Sequence, residues 1–335
     1  MSVKISPHLP LLLKRFAVVA LCIAPLPGKA QVLRTPLPHY VVGPSCVDNG
    51  ICFRELFEKP DQWKETRAMT DCLLYAGHAF GAFSDDELKA WFAQMHRWNL
   101  KLELEVGAVK EWGAQTGQST FQAEEPGMDR VERLGGDIYS LAFDEPFCNV
   151  RIQQRSEHRP DEYAIEETAK FISLVRQRYP QIRLGDIEPY PSIPLKDHIM
   201  WITALQKRLA QMNVKGMDFY RVDVDWTCMT LMANSTWQDV GKIQDFCASQ
   251  KLPFSLIYWD APYDSLKSRN LADDSTWYVG VMDQGYAYAS IKGAPQQYVL
   301  EDWVGAPNHS VPETTEWTFM RSALDFGRKF VQAGK

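Results

Sequence analysis

The chain has 335 residues, 45% of them hydrophobic and 23% charged, and 42 acidic against 36 basic side chains give a formal net charge of -6 at pH 7. No Lys/Arg-rich run or basic stripe is present, so nucleic acid is not an expected partner. The length allows a large core, in one big domain or two ordinary ones.

Residues 1–30 have the three parts of a secretory signal. Lys4, Lys14 and Arg15 make a basic start, FAVVALCIAPL at 16–26 is a short apolar core, and Gly28-Lys29-Ala30 offers a cleavage site ahead of Gln31. Pro25 and Pro27 cut the apolar run short of the roughly 20 residues that a membrane anchor needs. Leu21 stands where a small residue would precede a lipidated Cys22. No later run is long enough to span a bilayer, so 31–335 is expected to be a soluble domain, secreted or periplasmic, with no membrane contact after cleavage.

Beyond the leader, short β-rich runs alternate with longer helical patterns. Strands are predicted at 39–43, 72–77, 100–107, 138–144, 182–188, 217–225, 254–260 and 298–303. Helices are predicted near 53–66, 84–98, 161–179, 196–212, 236–250, 273–290 and 314–332, several with capping residues such as Ser84, Asp161 and Thr236. The connection around 127–135 reads as short and irregular. Eight strands alternating with about eight helices predict an α/β fold, a single (β/α)8 TIM barrel. An open doubly wound sheet would usually carry a Gly-rich phosphate turn after its first strand, but VVGPSC is no such turn and no P-loop is present, so no nucleotide cofactor is expected.

Six cysteines follow the leader: Cys46, Cys52, Cys72, Cys148, Cys228 and Cys247. Without C-x-x-C spacing they do not suggest zinc. Cys46 and Cys52 close a short loop that could carry a disulfide in an oxidising compartment. Neither a G-x-S-x-G elbow nor a strand-end Cys/His pair is present.

In a barrel the outward strand face packs on helices, so charged strand residues should face the axis, and those at the C-terminal ends should reach the mouth. In FYRVDVDW this alternation sends Tyr220, Val222 and Val224 outward and Arg221, Asp223 and Asp225 inward. In LKLELEVG it leaves Glu103 and Glu105 inside, and in IYSLAFD it turns Ser140 and Asp144 in. Asp144 and Glu145, in LAFDEPF, are thus expected at the mouth beside Glu105, Glu188, Asp223 and Asp225. Crowded carboxylates raise one another's pKa values, which suits a general acid beside an ionised partner. A structural ion-pair network around Arg221 and Lys101 is the plainer alternative.

FDEPF and DIEPYP each end a strand with Glu-Pro, which makes Glu188 the expected partner of Glu145. Neighbouring strands lie about 4.8 Å apart, against roughly 5 to 5.5 Å between the carboxyls of a retaining glycosidase. Trp112, Tyr190, Trp226, Trp259 and Trp303 all follow strand ends, where flat rings suit the apolar faces of sugars.

On these features the sequence resembles the TIM-barrel glycoside hydrolases. In their large retaining clan the fourth strand ends in Asn-Glu-Pro with the Glu as acid/base, and Asp144-Glu145-Pro146 is similar, with Asp for Asn. The clan's nucleophile is a Glu ending the seventh strand, where this chain has Asp260. Other glycosidase barrels use acids on strands four and six, which Asp144 and Asp225 would match. The segment 301–317 also resembles the eighth-strand loop of uncharacterised hydrolase-like barrels, with Glu313 in a structural role. The resemblance implies a carbohydrate substrate and no metal.

Two other classes stay open. A metal-dependent barrel hydrolase or isomerase would use Glu105, Asp144, Glu188 and Asp225 as oxygen ligands for Mg²⁺ or Mn²⁺, with His78 as the one histidine near the mouth. A non-catalytic saccharide-binding barrel would keep the aromatics and use the acids as hydrogen-bond acceptors.

Overall fold

The computed structural model describes residues 36–332 apart from 111–114, 154–156, 233, 262, 265–268 and 271–272. The leader at 1–30 and Trp112 therefore lie outside the described residues. Eight parallel strands form a closed barrel: β1 (Tyr40–Gly43), β2 (Cys72–Ala76), β3 (Lys101–Gly107), β4 (Ile138–Asp144), β5 (Arg183–Tyr190), β6 (Phe219–Val224), β7 (Phe254–Tyr258) and β8 (Gln297–Glu301). Each strand pairs with the next, and β8 closes the ring by pairing Tyr298 with Tyr40 and Glu301 with Gly43. A two-stranded ribbon, Tyr263–Asp264 against Arg269–Asn270, follows β7. Among the described residues no helix is long and apolar enough to cross a membrane.

Both faces of the sheet are buried, as in parallel barrels generally. Leu104, Phe143, Val222 and Leu256 face outward into the layer under the helices. Val41, Leu74, Ala142, Ile187, Phe219, Ile257 and Val299 fill the inside. Phe219 occupies space that Gly185 leaves open: a Cβ on Gly185 would stand 2.0 Å from its ring.

An internal polar layer completes the barrel core. Arg221 Nη1 lies 2.7 Å from Glu103 Oε1, and neither side chain is exposed. Arg221 also donates to Ser255 Oγ at 2.9 Å and Gln297 Oε1 at 2.7 Å, while Ser140 Oγ donates to Glu103 Oε2 at 2.6 Å. Every charge here has a partner, the condition under which buried charge is tolerated. Arg221 is thus engaged in an ion-pair network inside the barrel.

Most predicted helices form: Asp85–Trp98 with a Ser84/Glu87 capping box, Asp161–Arg178, Leu195–Gln211, Trp237–Ser249 and Asp274–Ser290. The third connection differs from expectation, being a 17-residue helix, Gly117–Arg133, with Pro126 inside it. Thr116 and Ser119 cap its start, Phe121, Met128 and Val131 share its buried face, and Pro126 lies exposed, so apolar periodicity outweighs the proline. The last helix starts later than expected, at Phe319, because 310–317 runs irregularly up to the Thr318 cap; it is α-helical to Phe326 and continues as a π-helical segment, Gly327–Val331. Glu313 has a structural role in that stretch, accepting from Glu65 N, Thr66 N and Thr66 Oγ1 at 3.0, 2.8 and 2.7 Å. All six described cysteines are free, so the 46–52 loop carries no disulfide.

Candidate active site

β4 delivers the central pair. Asp144 pairs with Ile187 of the barrel interior, faces the axis and makes a short ion pair with Lys110, from the loop after β3.

Glu145 follows in a left-handed conformation, φ 52°, uncommon for a residue with a Cβ and held only where the surroundings over-determine it. Here its N–H donates to Ile187 O at 2.9 Å, and its carbonyl accepts from Asn149 N at 2.8 Å and Asn149 Nδ2 at 2.7 Å. Burial, then Asp144 and Asp223, push the Glu145 carboxyl well above the usual carboxylate range, against the pull of Lys110.

Three more acids share the mouth. Glu105 on β3 is raised to about 7 by burial and Asp144. Glu301, at the end of β8, is raised well above the usual carboxylate range by burial and by Glu105 beside it. Asp223 on β6 is raised to about 8 by burial, although Trp259 Nε1 donates to its Oδ1 and opposes the shift. Glu105, Glu145, Glu301 and Asp223 thus crowd a mouth in which Lys110 is bonded to Asp144, while Arg221 is bonded to Glu103 in the layer inside the barrel. Such a set holds protons at neutral pH because like charges in a desolvated space cannot all ionise. Trp259 lies against Trp303, ring centroids 4.3 Å apart, and Trp303 is 38% exposed, forming an aromatic side to this mouth.

Sequence reasoning missed Glu301 and Lys110. Alternation along YVLEDW puts Leu300 outward and Glu301 inward, so Glu301 was accessible to the same rule; Lys110 sits in a loop with no period to read.

Other expected residues stand elsewhere. Glu188 pairs in register with Val222, and Asp186 with Phe143 and Tyr220, all of which face the helices. Glu188 is fully buried there, accepting from Phe147 N at 2.7 Å and Cys148 N at 3.0 Å, and Asp186 accepts from Trp201 Nε1. Glu145 and Glu188 therefore belong to opposite faces of the barrel, and Glu188 is not a mouth carboxylate. Tyr190 is likewise outward, its hydroxyl accepting from Thr236 N at 2.9 Å and donating to Asp239 at 3.3 Å. Asp225 lies at the rim, with its carboxylate capping the helix Trp226–Leu231 through Cys228 N at 2.8 Å. Trp226 packs on Trp237, ring centroids 5.9 Å apart. Asp260 turns toward the helix Asp274–Ser290, where a Cβ on Gly280 would stand 2.1 Å from Asp260 Oδ2. His78 is exposed, and among the described residues no three His, Cys, Asp or Glu side chains converge as metal ligands would.

A closed parallel eight-stranded barrel with its acids at the C-terminal mouth defines a TIM barrel. Neither a family model nor a curated protein sequence matches the chain. Solved structures do. A fungal β-1,4-galactanase aligns at TM-score 0.53 and 11% identity over 87% of this chain and 99% of its own. A mutant intracellular xylanase from Thermoanaerobacterium saccharolyticum, in complex with xylotetraose, aligns at TM-score 0.50 and 13% identity over 79% and 85%. A D-psicose 3-epimerase solved with D-fructose gives TM-score 0.48 and 13% identity over 88% and 99%. At these identities the likeness is one of fold.

Proposed function

We propose that this barrel is a secreted glycoside hydrolase in which Glu145 is the proton donor and Asp223 the partner carboxylate. The carrying observation is Glu145 itself: a carboxyl in a left-handed turn at a barrel mouth, buried, raised in pKa and facing the field of Asp144 and Asp223. A protonated Glu145 gives its proton to the glycosidic oxygen as the bond to the anomeric carbon breaks. Asp223, on the inward face of β6 and oriented by Trp259 Nε1, meets the developing positive charge once it has lost its own proton, a state that gains population as pH approaches about 8, and water then adds to the anomeric carbon. The Trp259/Trp303 pair supplies an apolar surface for a sugar ring. That two barrels of this fold are named as a galactanase and a xylanase supports a carbohydrate substrate.

A saccharide-binding barrel without turnover is the second reading, favoured by the number of raised carboxyls, which as neutral acids would bond sugar hydroxyls. Reducing-sugar release from galactan, xylan, β-glucan and peptidoglycan, with and without chelator, separates the two. In the hydrolase reading Glu145→Gln lowers kcat by about 10² to 10⁴, the usual worth of a general acid, while the melting curve stays in place. Binding without sugar release from the wild type would move the assignment to the second reading. Export belongs to the same proposal: protein expressed with its leader should have an intact mass that begins at Gln31, and retention of 1–30 in the exported fraction would count against it.

A further inference from the structure

A shallow, open depression of about 420 Å³ lies beside the mouth, between the start of the helix Asp274–Ser290 and the loop after β8, with Trp317 as part of its lining. Trp317 is unusual in two ways. Its backbone is left-handed at φ 63°, a conformation that costs a bulky residue free energy, and its side chain is 45% exposed, so burial does not offset that cost. The usual contact of a residue just before a helix cap is missing: such a residue commonly packs on the fourth helical residue, but after the Thr318 cap that position is Ser322, which is polar.

The chemistry of the lining narrows the ligand. Asp273, Asp274, Ser275 and Asn308 line it with carboxylate, hydroxyl and amide groups, Asp273 Oδ1 also capping the helix through Ser275 N and Thr276 N, and no cation is among the described residues of the lining. Asn308 N donates to Asp274 Oδ1 at 3.0 Å, which ties the loop to the helix start and fixes the width of the depression. Two carboxylates repel an anionic ligand, while one flat ring with hydrogen-bonding groups beside it fits a neutral polyhydroxylated one. The position fits too. Gly305, in the lining, is two residues beyond Trp303, whose ring meets Trp259 in the mouth.

We propose that Trp317 and this depression form an outlying subsite that holds a neutral polysaccharide chain reaching past the barrel mouth, a reading that deepens the glycoside hydrolase proposal and rests on it. The test is migration of the full chain through native gels containing soluble β-1,4-galactan, arabinoxylan or mixed-linkage β-glucan. Trp317→Gly is the informative variant, because glycine accepts the left-handed backbone and its melting temperature should equal or exceed that of the wild type. The expected result is retardation of the wild type by at least one polymer and a loss of affinity of about tenfold or more in Trp317→Gly, the scale of truncating an aromatic anchor. Equal retardation of the two proteins would overturn the subsite and leave the hydrolase reading intact. Absence of retardation on every polymer would also overturn it, and reducing-sugar release from the same polymers then decides whether the hydrolase reading survives.

Discussion

Replacing Glu188 tests the internal logic of the site, because this carboxyl was expected at the mouth and is found behind it. Its two oxygens accept from Phe147 N at 2.7 Å and Cys148 N at 3.0 Å. Those N–H groups belong to the short helical turn that starts at Pro146, immediately after Glu145, and they have no intrahelical acceptor. Burial, with Asp186 and Glu145 nearby, keeps Glu188 well above the usual carboxylate range, and the hydroxyl oxygen of a neutral acid can still accept a bond. The amide nitrogen of Gln cannot. Glu188→Gln therefore leaves one buried donor unsatisfied, at a cost of roughly 1–3 kcal/mol, and Glu188→Leu leaves two, at roughly twice that. For a domain of this size each kcal/mol lowers Tm by about 2–4 °C, so thermal unfolding followed by circular dichroism should rank wild type above Gln above Leu. Turnover should fall with them, since the same bonds hold the left-handed turn that presents Glu145. Azide should not restore turnover to Glu188→Ala. A wild-type melting curve for Glu188→Gln, or glycosyl azide formed by Glu188→Ala, would refute the assignment.

Stability should fall as pH rises from about 4 to 8. Glu105 and Asp223 release their protons near 7 and 8 in the folded protein and near 4 when unfolded, so the native state binds more protons across that window and the stability present at pH 5 is lost through pH 8. Urea midpoints that are flat or rising between those values would contradict this. Gly185→Ala should destabilise the barrel by about 1–3 kcal/mol or more through overpacking, because the added methyl would stand 2.0 Å from the Phe219 ring; an unchanged urea midpoint would show that Phe219 can move aside.

Strand existence and order were legible because turn residues and β-rich runs punctuate the chain at regular intervals, and β4 has the predicted bounds, 138–144. Facing was legible only where one side of a strand is uniformly apolar. In β6, Tyr220, Val222 and Val224 mark the helix side, and Arg221 and Asp223 fall inward as expected. In β5 the alternation gives no such mark, for Leu184, Asp186 and Glu188 share one face while Gly185 and Ile187 share the other. Both faces of a parallel strand are buried, so polarity does not distinguish them. What settles the facing is the fit of Phe219 over Gly185 and the two N–H donors waiting for Glu188, both long-range facts absent from any local pattern.

The two Glu-Pro endings therefore carry out different tasks within one device. At 145–146 the proline opens a helical turn, and the glutamate before it is forced into the left-handed region with its carboxyl in the field of the mouth acids. At 188–189 the strand continues to Tyr190, and the glutamate turns outward to bind the N–H groups of that same turn. A carboxylate so committed cannot also attack a sugar, and one that moved to do so would release the turn it holds. In the proposed reaction the partner of Glu145 is therefore sought on the inward face, where Asp223 and Asp144 both raise the Glu145 carboxyl. Asp144 is itself committed to Lys110. In the proposed hydrolase the chemistry would run across the mouth from β4 to β6, with Trp259 fixing the far carboxylate and β5 holding the near one in place.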